Sequence, residues 1–151
     1  MPANFNPIYT LTPNVGVAKI GTTATLTNST GAGTIDTNLY VAFTAGANGS
    51  FVQRIRFNAV SSAAAVNTVA TTLRVFLSSV NTGSPTSANT SLLAEISVPG
   101  TLSAANSTNA ALFYEIPLNI AIPTGRYILI GQHVAQTTNQ QWQGTVFGGD
   151  Y

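Results

Sequence analysis

Phe51-Val-Gln-Arg-Ile-Arg-Phe-Asn-Ala-Val60 is the stretch that decides the fold. Read with a period of two, Phe51, Ile55, Phe57 and Ala59 fall on one face, with Gln53 the exception; Arg54, Arg56 and Asn58 fall on the other. Successive side chains of a strand point to opposite sides of a sheet, so this pattern predicts a half-buried β-strand. Thr71–Ser79 repeats the scheme, with Leu73, Val75 and Leu77 inward, Arg74 outward and Phe76 the exception.

Working outward, the same alternation recurs. Val15–Ile20 and Thr22–Asn28 read as short strands broken at Gly21, and Leu39–Thr44 as another. Leu92, Ala94, Ile96 and Val98 form an inward face with Glu95 outside; Leu112, Tyr114, Ile116 and Leu118 form the next, with Glu115 outside. Arg126–Val134 is apolar on both faces and is expected to be central. Gln140–Phe147 closes the domain with Trp142, Gly144 and Val146 in phase. The connections Ser29–Gly33, Ala45–Ser50, Ser61–Ala70 and Asn81–Thr90 are loops rich in Gly, Asn, Ser and Thr. About eight strands separated by such turns predict an all-β, single-domain antiparallel β-sandwich, jelly-roll-like, over residues 15–151. Ile55, Phe57, Leu73, Val75, Ile96, Ile116, Leu129 and Trp142 are expected to share one core.

Residues 1–14 carry Pro2, Pro7 and Pro13 around Phe5, Ile8, Tyr9 and Leu11. Proline at that density prevents a helix and favours extended backbone. These four apolar side chains cannot hide by local folding, so the segment is expected to be an extended N-terminal arm that binds a partner surface through Phe5, Ile8, Tyr9 and Leu11. The bland alternative is a frayed terminus.

Composition excludes several functions. Only 6% of the 151 residues are charged and the net charge is +1; ordinary soluble domains carry about 25% charged residues. Five scattered basic residues make no phosphate-neutralising patch, so no nucleic acid is expected as a partner. No apolar run reaches the length of a membrane span, and none of the N-terminus reads as a signal peptide. With no cysteine there is no disulfide and no thiolate metal site.

Catalytic constellations are equally absent from the pattern. His133 is the only histidine, and a Ser-His-Asp triad would have to orient it with Asp36 or Asp150. Glu95 and Glu115 are the only glutamates and both alternate outward, unlike the facing carboxylates of a glycosidase. No cofactor and no metal are expected, and the chain does not read as an enzyme. Trp142, flanked by amides in Asn139-Gln-Gln-Trp-Gln143, reads either as core or as a sugar-stacking platform.

The strands Phe51–Phe57, Leu73–Leu77 and Leu93–Val98, then Ile122-Pro-Thr-Gly-Arg-Tyr-Ile-Leu129, then the ending Phe147-Gly-Gly-Asp-Tyr151 occur in that order. Together with Thr12-Pro13 they resemble a family of small β-rich virion structural proteins of tailed bacteriophages. The resemblance covers most of residues 12–151. It departs in the longer loops Ser61–Ala70 and Asn81–Thr90, and at His133-Val134, where the family often has His-Asn. The resemblance implies a virion component, a capsid decoration or cement protein. It would be made in the host bacterial cytoplasm and carried on the capsid exterior. Its implied partners are itself, as a homotrimer, and the major capsid protein. The alternative is a carbohydrate-binding or host-attachment module of a tail or head fibre. Sparse charge also leaves sheet edges without guarding lysines, which by itself points to an oligomer.

Overall fold

Eight strands are built by residues 10–62, 67–100 and 113–151, which a computed structural model describes. They are β1 (Thr12–Lys19), β2 (Tyr40–Thr44), β3 (Ser50–Ser61), β4 (Thr71–Ser78), β5 (Thr90–Val98), β6 (Phe113–Ile122), β7 (Tyr127–Gln132) and β8 (Gln140–Asp150). β1 takes in Thr12–Asn14, which the sequence reading assigned to the arm.

Each strand of the first half pairs antiparallel with its mirror position in the second: β1 with β8, β2 with β7, β3 with β6, β4 with β5. Further pairing of β3 with β8 and of β4 with β7 gives two four-stranded sheets, β1-β8-β3-β6 and β2-β7-β4-β5. This rolled-up hairpin is the eight-stranded jelly roll. Between the sheets lies a core that includes Val52, Ile55, Phe57, Leu73, Val75, Ile128, Ile130, Trp142 and Val146. Ile96 and Ile116 pack against it from the outermost strands.

Bulges explain where simple alternation misleads, because one extra residue flips every later side chain to the other face. In β3 the register shifts between Val52 and Arg54, so Gln53 is the extra residue against β8. Val52 therefore enters the core, and Phe51, expected there, comes out onto the surface side half-buried. Asn119 of β6, at φ 50°, takes up the opposite shift; asparagine is among the few residues that tolerate this left-handed conformation. In β5 the extra residue is Leu93: it packs on the core, and Leu92, expected inward, is exposed. A third shift between Val41 and Phe43 sends Phe43 into the main core.

The central strands of the β2-β7-β4-β5 sheet, β7 and β4, are buried on both faces. The outer face of this sheet carries a second cluster of Leu26, Ile35, Leu39, Phe76 and Leu129, so Leu129 belongs here and not in the inter-sheet core. The cover is drawn from residues 26–39, whereas Ile20 and Ala24 lie in the inter-sheet core. Thr22–Asn28, expected as a strand, is irregular, and side chains satisfy much of its backbone. Arg74 Nη1 donates to the carbonyls of Leu26 (2.6 Å) and Asn28 (3.1 Å), and Gln132 Nε2 to that of Ala24 (3.0 Å). Arg74 does alternate away from the core, but it is only 9% exposed because this segment lies over it. Such burial is tolerable because Glu95 Oε2 sits 3.2 Å from its Nε and the carbonyls accept the rest.

Candidate interaction face

On the other sheet no described segment covers the outer side. Register aligns outward residues into rungs across β1, β8, β3 and β6: Val15, Phe147, Arg54 and Pro117; Val17, Thr145, Arg56 and Glu115; Lys19, Gln143, Asn58 and Phe113. Val15 and Val17 are each 54% exposed and Phe113 is 56% exposed. β1 turns its valines outward because its inward positions must be small. A Cβ on Gly16 would overlap the Ala42 carbonyl where β1 passes β2.

The charges on this face lie flat. Arg54 stacks over Phe147 at 4.5 Å and Arg56 over Phe113 at 4.9 Å. Glu115 sits between them, 3.5 Å from Arg54 Nε and accepting from Arg56 Nε at 2.7 Å. Exposed pairs of these kinds contribute only about 0–1 kcal/mol each to stability. Their effect is to hold guanidinium planes against aromatic rings, which makes a mildly basic surface of mixed polar and apolar side chains.

At one end of the face a groove of about 280 Å³ is lined by Thr10, Val15, Phe51, Gln53, Phe147, Gly148 and Gly149. Its floor needs the glycine pair. A Cβ on Gly148 would collide with the Phe51 carbonyl, and one on Gly149 with the Thr10 side chain. The ending Phe147-Gly-Gly-Asp-Tyr151 is thus a structural closure. Asp150 accepts hydrogen bonds from Asn14 Nδ2 (2.9 Å) and Ser50 Oγ (2.5 Å), tying β1 and β3 to the end of β8. Those bonds, Asn14 foremost, hold its carboxyl below the usual value of 3.8 against the opposing effect of burial.

Of the four expected partner-binding residues, Phe5, Ile8 and Tyr9 lie outside the described residues. Leu11 is 82% exposed, and its backbone N–H donates to the Asp150 carbonyl at 2.7 Å. Trp142 is core: it is 1% exposed and its ring lies 5.9 Å from that of Tyr114, so it is no sugar platform. His133 Nδ1 is 3.3 Å from Arg74 Nη1, and Asp150 is engaged by Asn14 and Ser50. Among the described residues no three His, Asp or Glu side chains gather to hold a metal ion. A second depression, of about 330 Å³, is lined by Thr22, Thr23, Ser62, Thr138, Asn139 and Gln141.

Sequence reasoning did not single out the exposed face itself. A signal was present: in Val15-Gly-Val-Ala-Lys19 the large residues alternate with the smallest ones, which puts the branched side chains on the side with room.

No family model matches the chain, and no curated protein matches it. Among solved structures it is similar to a chain of the cyanophage Pam1 capsid asymmetric unit. The two share 13% identity at a TM-score of 0.38, covering 99% of this chain and 94% of that one, a likeness too slight to carry an argument about function.

Proposed function

We propose that this protein is a structural component of a bacteriophage virion, a decoration or cement protein that sits on the capsid exterior as an oligomer, with a homotrimer as the expected order. It works by covering surfaces rather than by catalysis. The observation that carries this reading is the asymmetry of the sandwich. The central strands of one sheet are sealed on their outer side by the chain's own residues 26–39, while the other sheet presents Val15, Val17, Phe113 and Phe147 on its outer face. Exposed apolar side chains on an uncovered sheet face fit a protein–protein contact. The sequence resemblance to small phage virion proteins supplies the kind of assembly. In this reading residues 1–11 reach a neighbouring subunit or the shell. Burial of Trp142 removes the residue on which the carbohydrate-binding alternative chiefly rested.

The test is a mass-spectrometric inventory of purified particles, followed by re-binding of the purified protein to particles stripped of it. Recovery in stoichiometric amounts and saturable re-binding support a cement role. Absence from particles, or presence only with detached fibres, rejects it.

A further inference from the structure

The exposed sheet face has a definite shape, charge and position relative to the N-terminal segment, and together these specify an occupant. Four strands about 4.8 Å apart and some eight residues long present roughly 500 Å². A standard protein interface takes about 800 Å² from each partner, so this face alone falls short. Residues 2–9 would add to it. Eight extended residues reach about 26 Å, enough to cross a neighbour's face from end to end. Thr10, where the described chain begins, sits over Gly149 at the rim of the groove, so the segment emerges beside one such face. Residues 2–9 carry no charged side chain and bear Phe5, Ile8 and Tyr9, which suits a groove walled by Val15, Phe51 and Phe147.

Charge sets the manner of docking. Lys19, Arg54 and Arg56 lie on the face against one acid, Glu115, whereas the other three acids, Asp36, Glu95 and Asp150, lie elsewhere. Two copies stacked face to face would oppose cation to cation, so the complementary arrangement is head to tail. A head-to-tail contact that closes forms a ring.

We propose that the outer face of the β1-β8-β3-β6 sheet is the head-to-tail contact between copies of this chain, with residues 2–9 of one copy lying in the Val15–Phe51–Phe147 groove of the next. This rests on the oligomeric reading above and names its contact. The chain has no cysteine, so introduced thiols are the sole ones present. Full-length Phe5→Cys and Gln53→Cys proteins, each alone and mixed one to one, are oxidised and separated without reductant, alongside the double variant. Gln53 is an exposed bulge residue, so its replacement leaves the core intact. The expected result is a disulfide dimer containing one chain of each kind, at least ten-fold more abundant in the mixture than in either protein alone. A double variant that closes on itself as a monomer, or no cross-link in any sample, overturns the proposal. The particle inventory separates the two ideas. Protein on particles without the cross-link refutes this contact and leaves the virion role standing; the cross-link without particle binding does the reverse.

Discussion

The two sheets of this sandwich solve the same problem in different ways. Both must deal with a second face that the inter-sheet core does not cover. The β2-β7-β4-β5 sheet places Phe76 and Leu129 on its outer face and seals them with residues 26–39, pinned by Arg74. The β1-β8-β3-β6 sheet places valines, phenylalanines and stacked arginines outward, and no described segment seals them. The first arrangement spends chain length on self-sufficiency. The second leaves a surface whose completion comes from another molecule. The same alternating pattern thus yields an interior face or a docking face, depending on whether a connection is long enough to fold over it.

That contrast can be broken at several points. The largest effect is expected in the core shared by both sheets. Phe57, fully buried, cut to Ala should lose about 3–5 kcal/mol in urea unfolding, and a loss below about 1 kcal/mol would show that β3 is out of phase. Next comes the sealed face. Arg74→Met removes the donor to the Leu26 and Asn28 carbonyls, each worth about 1–3 kcal/mol when left buried and unpaired. Amide exchange should then accelerate across residues 26–39 while the β1-β8 ladder stays protected.

Asp150 gives a smaller effect with a definite sign. Its folded pKa lies below the ordinary 3.8, so the stabilisation it confers is fully present above that value and is lost as pH falls through the lower, folded one. Asp150→Asn should flatten the acid limb of the stability profile; an unchanged limb would show that the Asn14 and Ser50 hydrogen bonds do not matter. The smallest stability change belongs to the bare face. Val17→Thr and Phe113→Ser should each alter unfolding by no more than about 0.5 kcal/mol, yet both should weaken self-association.

Much of this was legible in the sequence, for a physical reason. Where one face is dry and the other wet, alternation reports burial, and Ile55, Phe57, Leu73, Val75 and Trp142 lie in the core as the pattern requires. Arg126–Val134, apolar on both sides, marks β7, which is central in its sheet. The failures cluster where alternation loses its meaning. Bulges at Gln53 and Leu93 insert a residue that no local composition announces, and so misplace Phe51 and Leu92. Leu129 was misassigned to the inter-sheet core, and the burial of outward-facing Arg74 went unseen, because a remote segment covers both, a tertiary event that period-two reading cannot see. Thr22–Asn28 has the β-branched residues of a strand, but Gln132 and Arg74 side chains take the bonds that a neighbouring strand would have made. The bare face was encoded too, in the pairing of Val15 and Val17 with Gly16 and Ala18, though its exposure is evident only once β1 lies against β8.

The most direct test of the central claim, that the bare face is completed by other copies of the chain, is sedimentation of the wild type beside Val17→Glu at micromolar concentration. Val17 is exposed in β1 and off the core, so the charge should leave the thermal midpoint within a few degrees. The wild type should sediment as an assembly well above the 15.6 kDa of one chain, and the variant as a single species near that mass. A wild type that is already monomeric, or a variant that assembles as the wild type does, would contradict the account.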